Sequence, residues 1–288
     1  MRKAREKRRA HTVTYSPARR KPFFRPAVLP GDPTSAIMPG SRGTIMPGSP
    51  TPSFGRDTAP NAHPGFVRRL LVALARAQGP VRWRRENPVI CLVGTILSQA
   101  TNDRLAERAW RALRARYPAW KHVLSAPHAG IERAIRMCGL ARQKARAIRA
   151  VLRHLRRTRG RFSLAAPRRP VRDPVRRTEA LLAELTGIPG IGIKTAAITL
   201  MFGFGADLCA VDTHVARILR RLRVVPAKAA PDRAYRILRP LVPPGRGIEL
   251  HLRLLRLGRE TCRALRPRCG SCPIQALCSG PGMRGAAP

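Results

Sequence analysis

The sequence is short of acid. Its 288 residues hold 15 Asp and Glu against 57 Lys and Arg, a formal charge of +42. So one-sided a balance excludes an ordinary near-neutral surface and selects a polyanionic partner, nucleic acid first. Lysine is scarce as well: 7 of the 57 cations are Lys and the other 50 are Arg. Coding bias explains part of that skew, so no single Arg is read as a contact on this ground. Long apolar runs are missing too. The longest stretch without a charged residue, Asn87 to Asn102, has 16 residues and is interrupted by Pro88 and several polar side chains. That is too short to cross a bilayer, which argues against a membrane protein. Cysteines number seven, too few and too unevenly placed for a disulfide scaffold. No run of alternating strand residues stands out, which points to an all-α class.

What is present divides the chain in two. Residues 1–64 hold 11 of the 28 prolines, 12 cations and 3 acids, and repeat IMPGS at Ile37 and Ile45. This composition predicts a disordered basic tail. It reads equally as a DNA-binding arm, a solvated extension, or an upstream stretch with Met38 and Met46 as alternative starts. The remaining 224 residues carry 45 cations and 12 acids, so the charge is not confined to the tail.

From Gly65 onward the apolar spacing is helical. FVRRLLVALARAQ puts Phe66, Leu70, Leu71 and Leu74 on one face and is stopped by Gly79-Pro80. VICLVGTILSQ follows Asn87-Pro88 and is apolar nearly all round, as a buried helix should be. Asn102 can cap DRLAERAWRALRARY, which ends before Pro118. A basic amphipathic helix is expected over 141–157, and further helices over 176–185, 195–204, 213–223, 231–239 and 247–261.

The most informative stretch is LTGIPGIGIKTAAITL, Leu185 to Leu200. Gly187, Gly190 and Gly192 interrupt the chain between two helices, with Pro189 among them. Such glycines allow positive φ and close approach of another backbone. The helix that comes next leaves its first amides unpaired. Gly190, Ile191 and Gly192 therefore make a candidate phosphate-binding corner that reads no base sequence. A plain tight turn between core helices would look similar. Lys194 separates the two readings. Arg would serve a phosphate at least as well, whereas a lysine can lose its proton and attack carbon as an amine. A helix N-terminus disfavours its ammonium form, which helps. Lys144 and the chain's N-terminus are the other amines to consider.

Asp212, in AVDTHVARILRRL, precedes an amphipathic helix. It can cap that helix and, as an ionised carboxylate, accept a proton or stabilise a cationic sugar. His214 reads as structural or as a phosphate contact. Cys262, Cys269, Cys272 and Cys278 follow the spacing C-x6-C-x2-C-x5-C. Four close thiolates mean zinc or an iron–sulfur cluster, and spacing alone leaves both open. Arg263, Arg266 and Arg268 between the first two cysteines suit a phosphate backbone. Cys91, Cys138 and Cys209 sit among apolar residues and read as core.

With IPGIGIKTA, VDTH and the cysteine spacing in this order, the chain from Gly65 to Cys278 resembles the endonuclease III family of DNA glycosylases in the helix-hairpin-helix superfamily. The resemblance implies two α-helical lobes with DNA in the cleft between them. One is a helical barrel over 88–206; the other joins 65–87 to 207–288 and holds a 4Fe–4S cluster on the four cysteines. It implies that Lys194 attacks the sugar C1′ and that Asp212 assists. ILSQATND, Ile96 to Asp103, resembles the segment whose glutamine fills the gap left by an extruded base, which gives that role to Gln99, in the S-Q-x-T form of some archaeal relatives. The chain departs from the family at Ile193, where many members carry a basic residue, and residues 1–64 match nothing in it.

The expected function is a bifunctional glycosylase and AP lyase that removes oxidised pyrimidines and cuts by β-elimination. The partner expected is double-stranded DNA containing damaged bases, met by a monomer in the cytoplasm near the nucleoid, with no membrane involved. A mismatch glycosylase acting on adenine, uracil or thymine, and a non-catalytic iron–sulfur DNA-binding protein, are the alternatives.

Overall fold

The computed structural model describes residues 59–164 and 173–278. Most of the tail expectation therefore lies outside the described residues. Its last few, 59–63, pack onto the body, where the Asn61 side-chain amide donates to Leu222 O at 2.7 Å. Among the described residues there are eleven α-helices and no strand, and no helix is long and apolar enough to cross a membrane.

Helix starts follow the local chemistry. Helix α1, Pro64–Gln78, has Pro at its first position and His63 as its cap, and ends at Gly79 with φ +67°. Helix α2, Pro88–Leu97, is capped by the Asn87 side chain, which accepts from Val89 and Ile90 N. Helix α3, Asp103–Arg116, is capped by Asn102 through Leu105 N. Helices α4, Trp120–Ser125, and α5, His128–Ile135, are two short pieces that begin after Pro118 and Pro127. A 3-10 turn, Arg136–Cys138, leads to α6, Ala141–Arg159. Then come α7, Pro174–Thr186, α8, Ile193–Phe204, and α9, Thr213–Arg221. Helix α10, Pro231–Leu238, and α11, Gly247–Glu260, complete the set before the cysteine loop.

Helices α2 and α8 form the centre. Both are apolar nearly all round, as the sequence predicts for α2, and their buried faces are covered by other helices. Three contacts fix an antiparallel register. A Cβ on Gly203 would stand 3.0 Å from Pro88 Cα. The Cys91 thiol lies 3.8 Å from Ile198 O. The Gln99 side-chain amide donates to Thr195 Oγ1 at 3.1 Å. The carboxyl end of α2 therefore lies beside the amino end of α8, where Lys194 sits. Fully burying one Leu or Ile contributes roughly 1.5–3 kcal/mol, so a pair of helices buried on every side anchors this junction. Cys91, Cys138 and Cys209 are buried in the core as expected, and burial pushes the Cys91 thiol up to about 12.

Helix α11 is held from two sides. Its Arg253 donates to Leu74 O on α1, and Gln78 of α1 donates back to Arg253 O at 3.1 Å. Against α9 it presents Gly258, where a Cβ would stand 2.7 Å from His214 Cβ.

Candidate active site at the helix hairpin

Between α7 and α8 the chain turns within a few residues. Gly190 has φ +88°, and a Cβ there would lie 2.8 Å from Ala147 Cβ on α6. This position alone in the turn needs glycine for both conformation and space. Gly187 is helical at φ −72° and Gly192 is extended at φ −86°, so positive φ does not account for them. Gly192 faces open space, which leaves room for a ligand to approach the backbone. The Ile191 amide donates to Ile188 O at 3.0 Å and its side chain is buried. Ile191 thus closes the turn. The first turn of α8 carries no side-chain cap, so its amides are open to a ligand.

Lys194 is the second residue of α8 and is half-buried. Asp212 is half-buried at the start of α9, where its carboxylate accepts from Val215 N at 2.8 Å. It is the N-cap that the sequence allowed, with a second carboxylate oxygen to spare. His251 of α11 lies against Ala210, two residues before Asp212. Its ring is buried, and Nδ1 lies 2.9 Å from Ala210 O, which casts Nδ1 as the donor. Burial lowers the His251 pKa; Asp212 and the Ala210 carbonyl oppose that, and Lys194 adds to it. Lysine, aspartate and neutral imidazole therefore share one electrostatic neighbourhood, and the bond to Ala210 fixes the chain two residues before Asp212. Gln99 joins them through Thr195, the residue after Lys194. The structure thus sets Gln99 against the start of α8, next to Lys194 and the glycine turn, and places Asp212 as the cap of α9.

His214 is structural: its Nδ1 takes a hydrogen bond from Arg217 at 3.1 Å. Lys144 is excluded as a nucleophile. It is 1 % exposed, and its ammonium donates to Leu97 O at 2.9 Å and Cys138 O at 2.7 Å. Sequence reasoning missed His251, which has the spacing of a core residue. It missed Leu140 too, which is 51 % exposed at φ +49° just before α6. A large apolar side chain held outward in a left-handed conformation is unusual. Its only sequence signal is the Gly139 before it.

The four cysteines lie at the far end of α9. Cys262, Cys269, Cys272 and Cys278 line one cavity, with Ile218, Leu222 and Ile274 as its apolar wall. Burial raises the Cys272 thiol pKa, and the other three cysteines raise it further. Helix α9 is fastened to this loop at two points. Arg217 donates to Gly258 O and Cys262 O, each at 2.8 Å. Arg221 donates to Cys262 Sγ at 3.1 Å and to Arg263 O at 2.8 Å. Nine residues separate the loop from Asp212, about 13 Å of helix. Arg263, Arg266 and Arg268 are exposed on the loop.

Residues 93–244 match the model of the HhH-GPD superfamily of base excision DNA repair proteins. Endonuclease III of Bacillus subtilis (strain 168) is 32% identical over 192 residues, covering 67% of this chain and 81% of that protein. The chain belongs to the endonuclease III family. Its place there makes it a base-excision DNA repair protein of the DNA glycosylase and AP lyase class. Among solved structures, a non-covalent endonuclease III–DNA complex superposes with a TM-score of 0.64 at 28% identity, over 77% of this chain and 97% of that one. A trapped endonuclease III–DNA covalent intermediate gives the same score and identity, over 77% and 98%. The all-α fold expected from the sequence is thus the endonuclease III fold.

Proposed function

We propose that the chain removes oxidised pyrimidines from double-stranded DNA and cuts the strand at the abasic sugar that remains. One observation carries this reading: Gln99 at the end of α2 donates to Thr195, beside Lys194 at the uncapped start of α8, while Lys194 and Asp212 both act on the charge of buried His251. Phosphates of the duplex bind the Gly192 corner and the first amides of α8, with Arg263, Arg266 and Arg268 on the cysteine loop as further contacts. The damaged nucleotide leaves the stack, because C1′ is out of reach inside it. Gln99 and the exposed Leu140 take up the space it vacates, Leu140 as an apolar wedge.

Lys194 then acts as a free amine. Asp212 accepts its proton or stabilises the cationic sugar. Nitrogen bonds to C1′ as the C1′–base bond breaks, and the base departs with a proton. The sugar ring opens to a Schiff base. Loss of a C2′ proton expels the 3′ phosphate by β-elimination, and water releases the amine. His251 donates to Ala210 and keeps the segment before Asp212 in place throughout.

The cysteine loop suits a 4Fe–4S cluster. Its four thiols line one cavity, which offers a cluster its four thiolate ligands. Cys262, Cys269, Cys272 and Cys278 would hold it, with Arg221 against the Cys262 sulfur. When bound it supplies iron–thiolate cross-links and a redox couple that base removal does not require. A monomer in the cytoplasm, working on nucleoid DNA, completes this reading.

The test is a panel of duplexes carrying single oxidised pyrimidines, mismatched adenine, uracil or thymine, or no lesion, scored separately for base release and strand cleavage. Both events on oxidised pyrimidines are expected. Asp212→Asn keeps the oxygen that caps α9 and removes the charge. It should slow base release by roughly 100-fold or more while helicity holds. Base release confined to mismatches, without cleavage, would overturn the proposal.

A further inference from the structure

Lys144 is the largest of the fully buried side chains, and the amine chemistry leaves it without a task. It donates to two main-chain carbonyls, Leu97 O and Cys138 O, and the Cys138 thiol stands beside it. Burial draws its pKa below that of an ordinary lysine, while Cys138 opposes the shift. An apolar side chain of the same length would fill this space without that desolvation. A compact charge with three rotatable donors does something more: it joins two segments distant in sequence.

Both carbonyls are segment ends. Leu97 closes α2 and Cys138 closes the 3-10 turn, so each oxygen carries the partial negative charge of an unpaired terminal carbonyl. Each of these ends runs directly into a surface tip. After Leu97 come Gln99 and the exposed Ala100 at φ +47°. After Cys138 come Gly139 at φ +68° and the exposed Leu140 at φ +49°. Two of the four non-glycine residues at positive φ among the described residues stand on these two tips. Such backbone persists only where its surroundings over-determine it.

We infer that Lys144 is a positioning residue, which ties the Gln99–Ala100 and Leu140 tips together at a fixed separation so that they enter the duplex as one unit. This rests on the proposed role of Gln99 and Leu140 in base extrusion. Extrusion then depends on Lys144, and the amine chemistry of Lys194 does not.

Lys144→Met in the full chain separates the two. One substrate is a duplex with a single oxidised pyrimidine, followed as single-turnover base release. The other is a single-stranded oligonucleotide with a preformed abasic site, followed by borohydride trapping, where no base has to leave a stack. The duplex rate should fall on the order of a hundredfold, as for displaced positioning groups, with trapping on the single strand held within about twofold. Equal losses on both substrates would mean a general structural role and overturn the inference, as would an undiminished duplex rate. If Lys144→Met does not fold by circular dichroism, Lys144→Gln, which keeps a donor for one carbonyl, is judged by the same criterion. A parent protein that traps on neither substrate would count against Lys194 instead, so the two failures are distinguishable.

Discussion

At Lys194 the residue type decides the chemistry, because an amine can attack carbon and a guanidinium cannot. Lys194 stood out because lysine is rare here and arginine would not serve as a nucleophile. Asp212 stood out as a cap before an amphipathic helix, and its carboxylate does accept from Val215 N. His251 and Leu140 gave no such signal. One sits at core spacing and the other differs from a buried leucine only in its exposure. The three turn glycines looked alike in sequence and differ in fact. Gly190→Ala meets both a positive φ and a clash with Ala147. It should cost roughly 1–3 kcal/mol of stability and weaken binding to undamaged duplex. Gly192→Ala has open space and an ordinary φ, so its stability should stay within about 0.5 kcal/mol of the parent. Chemical denaturation of both variants checks this; equal losses would contradict the geometry.

Long helices were legible as elements because period and punctuation agree. Asn87-Pro88 and Asn102 start helices where they were expected to. Helices α4 and α5 were missed, since six and eight residues give too few turns for a period to show. The cysteine loop was recognisable as a metal element by spacing, but spacing left its occupant open. The proposed occupant of the cavity lined by the four thiols is a 4Fe–4S cluster. Anaerobically purified protein should accordingly be yellow-brown, with about four irons per chain. Stoichiometric zinc without visible absorbance would contradict this.

Across the whole molecule, two couplings join the chemistry to the scaffold. The antiparallel pairing of α2 with α8 sets Gln99 beside the residue next to Lys194. Helix α9 carries Asp212 at one end and grips the Cys262 loop with Arg217 and Arg221 towards the other. Neither coupling could be read in the sequence, because each joins segments 40 to 100 residues apart. The all-α class could be read, and so could the residues at the centre of the chemistry. Every part of the proposed reaction passes through the Lys194 amine. The most direct measurement is borohydride reduction on a lesion-bearing duplex, with the cross-linked peptide mapped by mass spectrometry. The adduct should lie on Lys194. It should vanish in Lys194→Gln, which keeps the Gly192 corner and still binds duplex. An adduct elsewhere, or undiminished trapping by Lys194→Gln, would contradict the account.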